Sequence, residues 1–134
     1  MHPRNRWFIA CSLVYAVLGG AFGILQAVAP SLVPGLPARA HGHIMLLGFV
    51  AMMIYGVALH TLPRFANRPL HSERLANFQF WTANTGLILI VIGWLGYWKP
   101  VLISGGAVAW VAMLAFAYNI LRSVTAKPQT GDAQ

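Results

Sequence analysis

The chain has 134 residues, of which 58% are hydrophobic and only 8% charged, and it carries a formal net charge of +7. A soluble domain carries about a quarter charged residues, so the composition excludes an ordinary water-soluble globule. A single cysteine, Cys11, excludes an internal disulfide and reads as a small buried residue.

Four apolar runs of about 20 residues each follow one another: Trp7–Ala29, His41–Leu62, Phe78–Trp98 and Val101–Leu121. Each is long enough to span ~30 Å of hydrocarbon. They predict an all-α fold, a polytopic membrane four-helix bundle in one domain over residues 1–126, followed by a polar tail over residues 127–134. Arg4 and Arg6 precede the first run, as in a signal peptide. That run is longer than a typical h-region and has no small-x-small cleavage site before Pro30, so it is expected to remain as a span.

Pro30, Pro34 and Pro37 predict a short, stiff first loop. The second span is expected to open at His41 and to stop at Pro63, which cannot continue a helix without losing a backbone bond. Residues 64–77 carry both signs of charge, a proline and His71, and read as a solvated connector. Spans three and four are separated by little more than Lys99-Pro100, so they must be antiparallel neighbours. Trp7, Trp81, Trp94, Tyr97 and Trp98 lie near span ends, where amphipathic rings anchor at the interface.

Seven of the nine Lys and Arg residues (Arg4, Arg6, Arg64, Arg68, Arg74, Arg122 and Lys127) fall in the N-terminus, the loop between spans two and three, and the C-terminus. Only Arg39 and Lys99 fall in the other two loops. The positive-inside rule then places both termini in the cytoplasm, in the cytoplasmic (inner) membrane of a bacterium. The basicity orients the chain against anionic lipid headgroups and gives no support for nucleic acid as a partner.

Residues His41 to Arg64 read HGHIMLLGFVAMMIYGVALHTLPR, with three histidines inside one span. Imidazole in hydrocarbon is costly, and an intramembrane ionisable residue marks a functional site by default. At about 100° per residue, His41, Met45, Gly48, Phe49, Met52, Gly56 and His60 share one stripe. His43 points nearly the opposite way, with Leu47, Val50, Ile54 and Thr61. His41 and His60 lie roughly 28 Å apart on such a helix and cannot hold one small cofactor within a single chain. His60 sits one turn from the helix end, where it can reach the interface. Gly19, Gly20, Gly23, Gly42, Gly48, Gly93, Gly96, Gly105 and Gly106 fall at or outside the bilayer middle. They either thin the helices around a flat ring beside His41 or simply let helices approach closely. The stripe predicts a cofactor site built from His41, His43, Met45, Gly48, Met52, Gly105 and Gly106. The candidate metal ligands are His41, His43 and His60.

At this span the sequence resembles the second transmembrane helix of the catalytic subunit of the haem–copper oxidase superfamily, which includes the nitric oxide reductases. The matching residues are His41-Gly42 at the outer end, Met45 one turn in, Gly56, and Leu62-Pro63 closing the helix. The resemblance implies haem b as cofactor, with His41 as an axial ligand of a low-spin haem near the outer face. It implies electron transfer or diatomic-gas binding, among respiratory-chain subunits. The parent subunits have about twelve spans, and their second low-spin ligand and copper-binding histidines come from later helices. Spans three and four here contain no histidine, so no binuclear centre is expected from these residues, nor enzymatic oxygen or nitric oxide reduction by that mechanism. A second axial imidazole would then come from another copy, as in a homodimer, or the site would stay five-coordinate and bind a gas.

Two other readings stand beside it. Imidazole with the thioethers Met45, Met52 and Met53 suits a copper- or zinc-binding accessory protein, provided that the helix start unwinds to bring His41 and His43 together. A cofactor-free structural subunit of a respiratory assembly would use the glycine faces for packing alone. The topology predicts that single cysteines placed near Pro34 in a Cys11-free variant react with an impermeant thiol reagent from outside the cell. Single cysteines near Ser72 should be protected; the reverse pattern inverts the topology.

Overall fold

The structure is a computed structural model and describes residues 2–125; the tail expected over residues 127–134 lies outside them. Four helices follow in chain order: α1 (Pro3–Val28), α2 (Pro37–Phe65), α3 (Glu73–Leu95) and α4 (Lys99–Thr125). Each is long and apolar enough to cross a membrane, and there is no strand among the described residues. A 3₁₀ turn, Pro30–Leu32, follows α1.

Helices α1 and α3 begin ahead of the apolar runs, where polar groups cap their starts. His2 Nδ1 accepts from the Arg4 amide at 3.3 Å ahead of Pro3, and Ser72 Oγ accepts from the Leu75 amide at 3.2 Å ahead of Glu73. Both arrangements satisfy amides that a helix start leaves without partners. Proline at the first position favours early starts. It moves the beginning of α2 to Pro37 and places His41 inside the helix rather than at its opening. At the other end Pro63 does not stop α2, which runs on to Phe65 before Asn67 turns the chain at φ 55°. Pro63 costs the helix the one bond that its missing amide would make, and the last turn continues past it.

The largest departure from expectation lies within α2. Ile44–Ala51 is π-helical, with hydrogen bonds from i to i+5. A wheel at 100° per residue therefore fails across these eight residues. Just beyond them, Met52 is 1% exposed and packs in the core with Phe8, Tyr55, Leu59, Ala76 and Ile120.

Helix α2 holds the middle, with α1 along one side and α3 and α4 on the other. The antiparallel neighbours α3 and α4 nearly touch backbones. A Cβ on Gly86 would lie 2.6 Å from the Ala109 nitrogen, one on Gly93 2.7 Å from the Leu102 Cα, and one on Gly105 2.7 Å from the Ile90 nitrogen. Their connection is Gly96–Trp98, with Tyr97 at φ 54°. Lys99 and Pro100 belong to the first turn of α4 rather than to the linker.

The connectors are fastened to the helices. Between α2 and α3, the His71 amide donates to Ser123 Oγ at 2.8 Å. The Ser72 amide donates to Asn119 Oδ1 at 2.9 Å, and Asn119 Nδ2 returns a bond to the Ser72 carbonyl at 2.8 Å. That segment is thus bound to α4 and is not a freely solvated connector; α3 already begins at Glu73. Between α1 and α2, the Leu36 amide donates to the Trp94 carbonyl at 3.0 Å and Tyr97 Oη to the Gly35 carbonyl at 2.9 Å. Gly35 takes φ 78°, and a Cβ there would meet the carbonyl oxygens of Trp94 and Leu95.

Gly86→Val must force α3 and α4 apart and should lower stability by about 1–3 kcal/mol, read by equilibrium unfolding in mixed micelles. Gly106→Val, where the added atom meets open space, should change stability by less than about 0.5 kcal/mol.

Candidate cofactor site

Proline at the start of α2 and the fully buried Ala40 fix the rotation of its first two turns. His41 then faces α1. Its Nδ1 lies 3.0 Å from the carbonyl oxygen of Gly19. The ring rests on Gly23, where a Cβ would come within 2.9 Å of the imidazole Cε1. A carbonyl only accepts, so Nδ1 carries the proton. In the neutral ring this leaves the lone pair on Nε2. Neutral imidazole with one nitrogen tied to a backbone carbonyl is the form in which histidine ligates a metal, because the outer hydrogen bond sets tautomer and ring orientation.

Met45 continues along α1, with its sulfur 2.6 Å from where a Gly19 Cβ would be. Gly48 is filled by Tyr15 from α1 and Leu87 from α3, and Gly56 by Asn5, Phe8 and Ile9. Four members of the predicted stripe (His41, Met45, Gly48 and Gly56) thus lie against α1. His43 turns to α3 instead. Its Nδ1 lies 2.8 Å from the Arg39 carbonyl, and its ring centroid is 6.0 Å from that of Trp94. The Arg39 guanidinium stands 4.8 Å over the same indole. The two histidines therefore face different helices.

His60 lies on α2 near its far end, beside neither of the other two. Met52 lies in the core. Gly105 is taken up by the contact with α3, while Gly20, Gly42 and Gly106 face open space. Among the described residues no group of three or more His, Cys, Asp or Glu could hold a metal ion. The Gly19 carbonyl, which orients His41, carries no side-chain signal; the spacing Gly19-x-x-x-Gly23 was the trace of it. Arg39 and Trp94 form the setting of His43, a pairing that residue spacing alone does not reveal.

Residues 5–126 match the family described as "Cytochrome C and Quinol oxidase polypeptide I". The chain belongs to that family. The Cbb3-type cytochrome c oxidase subunit CcoN1 of Stutzerimonas stutzeri is 30% identical over 125 residues, covering 69% of this chain and 26% of the relative. The chain thus spans about a quarter of the length of the relative that it matches. No solved structure matches. The oxidase polypeptide I likeness seen in α2 therefore extends over all four helices.

Gly23→Val should push the His41 ring off α1. Nitrogen NMR of labelled imidazole should show one tautomer, protonated at Nδ1, in the parent protein and a mixture in the variant. Gly20→Val, which meets open space, should leave the spectrum unchanged.

Proposed function

We propose that the chain is a haem b-binding membrane protein of the oxidase polypeptide I family, with His41 as axial ligand. The observation that carries this reading is the Nδ1 contact to the Gly19 carbonyl at 3.0 Å, which leaves Nε2 as the free donor of a neutral imidazole. The family match supports haem as the group concerned. Haem iron held by one imidazole binds diatomic gases, and with two strong axial ligands it favours electron transfer.

The residues on this chain supply the ligand and its orientation. Gly23 makes room for the imidazole ring, Gly19 holds its proton, and Met45 packs one turn deeper on the same face. His43 lies toward α3 and so does not serve the same iron as His41. A second imidazole would come from another chain, either a second copy about a two-fold axis, the commonest symmetry, or a respiratory-chain subunit. The basic residues clustered at the N-terminus of α1, the α2–α3 connector and the end of α4 support a cytoplasmic location for that end. The four spans then sit in a bacterial inner membrane with His41 in the outer half. A copper site shared by His41 and His43 is the weaker reading, since their rings are directed at different helices.

Protein purified after expression with ample haem should be coloured, and His41→Ala should lose or shift the visible haem spectrum while His71→Ala keeps it. One haem per two chains with low-spin spectra in both redox states supports ligation across copies. One haem per chain, high-spin when reduced and shifting with carbon monoxide, supports a five-coordinate gas site. Colourless, folded and monodisperse protein refutes haem binding.

A further inference from the structure

The N-terminal ends of α1 and α3 lie at the same end of the molecule and meet through a few long side chains. Phe8 stands against Phe80 at 5.0 Å, and Tyr15 donates to Asn84 Oδ1 at 2.8 Å. Beside these contacts the helices leave a cleft of about 350 Å³, lined by Arg4, Trp7, Asn77, Phe80 and Trp81. Its walls are mostly aromatic. Trp7 and Trp81 are 62% and 69% exposed, so the cleft opens on the outer surface of the helices and not toward their core.

Charge selects the occupant. Glu73 is the only acidic residue among the described residues, and it is committed to Arg4. Arg4 pairs with its carboxylate and donates to its carbonyl at 2.9 Å, and it reaches Asn5 Oδ1 at 3.1 Å. With its charge met, Arg4 is a neutralised floor at 5% exposure. Among the described residues Arg74 has no carboxylate left to pair with. It is exposed and lies three residues before Asn77 and seven before Trp81, on one stripe of α3. An exposed amide thus lines the aromatic groove, and an exposed guanidinium lies one helical turn before it on the same stripe of α3. The same end of the molecule also carries Arg6, Arg64, Arg68 and Arg122. An occupant that suits this arrangement has an apolar body and a negative head.

We propose that the cleft binds one anionic glycerophospholipid, its acyl chain against Trp7, Phe80 and Trp81 and its phosphate at Arg74, with Asn77 as a second donor. A zwitterionic headgroup would bring an ammonium to an end already rich in guanidinium and gains less. This site is independent of His41, which lies toward the opposite end of the helices.

Native mass spectrometry of the purified full chain, titrated with phosphatidylglycerol or phosphatidylcholine of identical acyl chains, tests the proposal. One phosphatidylglycerol should be retained with about a fivefold preference, the factor expected for one basic residue at a membrane surface. The preference should weaken as salt rises. Arg74→Gln should remove it, whereas Lys99→Gln at the opposite end should not. Trp81→Ala should reduce retention of both lipids. Phosphatidylglycerol with brominated acyl chains should quench tryptophan fluorescence in the parent protein, and less in a Trp7→Phe/Trp81→Phe variant. Equal retention of the two lipids, or an unchanged preference in a folded Arg74→Gln variant, overturns the site.

Discussion

How closely two helices can approach governs the rest of this molecule. In hydrocarbon, apolar side chains gain little by leaving lipid for protein, so association relies on dense packing and on small residues that admit a neighbouring backbone. Between α3 and α4, Gly86, Gly93 and Gly105 are filled by backbone atoms of the opposing helix, and the pair closes into a seam. Between α1 and α2 the same device has another result. Gly19 and Gly23 are filled by the Met45 thioether and the His41 imidazole. The candidate ligand is therefore held in a slot that helix packing creates. A side chain at Gly23 would close that slot as surely as removal of His41 would empty it.

Polar contacts at the helix ends hold this arrangement in register. Asn119 exchanges two hydrogen bonds with the backbone of Ser72, and Arg4 grips Glu73 through both its carboxylate and its carbonyl. At the opposite end, the Gly35-Leu36 backbone is hooked to Trp94 and Tyr97. Each contact joins residues at least 47 positions apart in sequence. The core of Phe8, Met52, Tyr55, Leu59, Ala76 and Ile120 lies toward the end that holds the N-termini of α1 and α3. The end bearing His41 depends more on glycine contacts and on backbone hooks. A cofactor bound there would add packing where the apolar core is thin.

The π-helical stretch Ile44–Ala51 connects these two regions. π-bulges are rare and frequently lie at functional sites. Here the stretch separates the histidine-bearing turns from the core-facing turns of the same helix. Before it, His41, Met45 and Gly48 lie against α1; beyond it, Met52 and Tyr55 pack in the core around Phe8 of α1, and Gly56 meets α1 again.

Much of the fold was legible in the sequence because hydropathy and length are properties of single segments. Four runs of about 20 apolar residues can only satisfy their backbone in lipid as helices. The closeness of the third and fourth apolar runs in sequence made α3 and α4 antiparallel neighbours, and the opposed directions of His41 and His43 followed from their spacing. The likeness to oxidase polypeptide I was visible in the residues of one helix. What the sequence did not disclose depends on distances between segments. A wheel at 100° per residue could not foresee the π-helical stretch Ile44–Ala51. No side chain announces that the Gly19 carbonyl fixes the His41 tautomer, or that Gly105 meets Ile90 rather than a cofactor. The cleft beneath Trp7 and Trp81 is likewise absent from any one-dimensional pattern, because it is space left where two helices diverge. Segment length and polarity determined what spans; only the approach of one helix to another decided which groups meet.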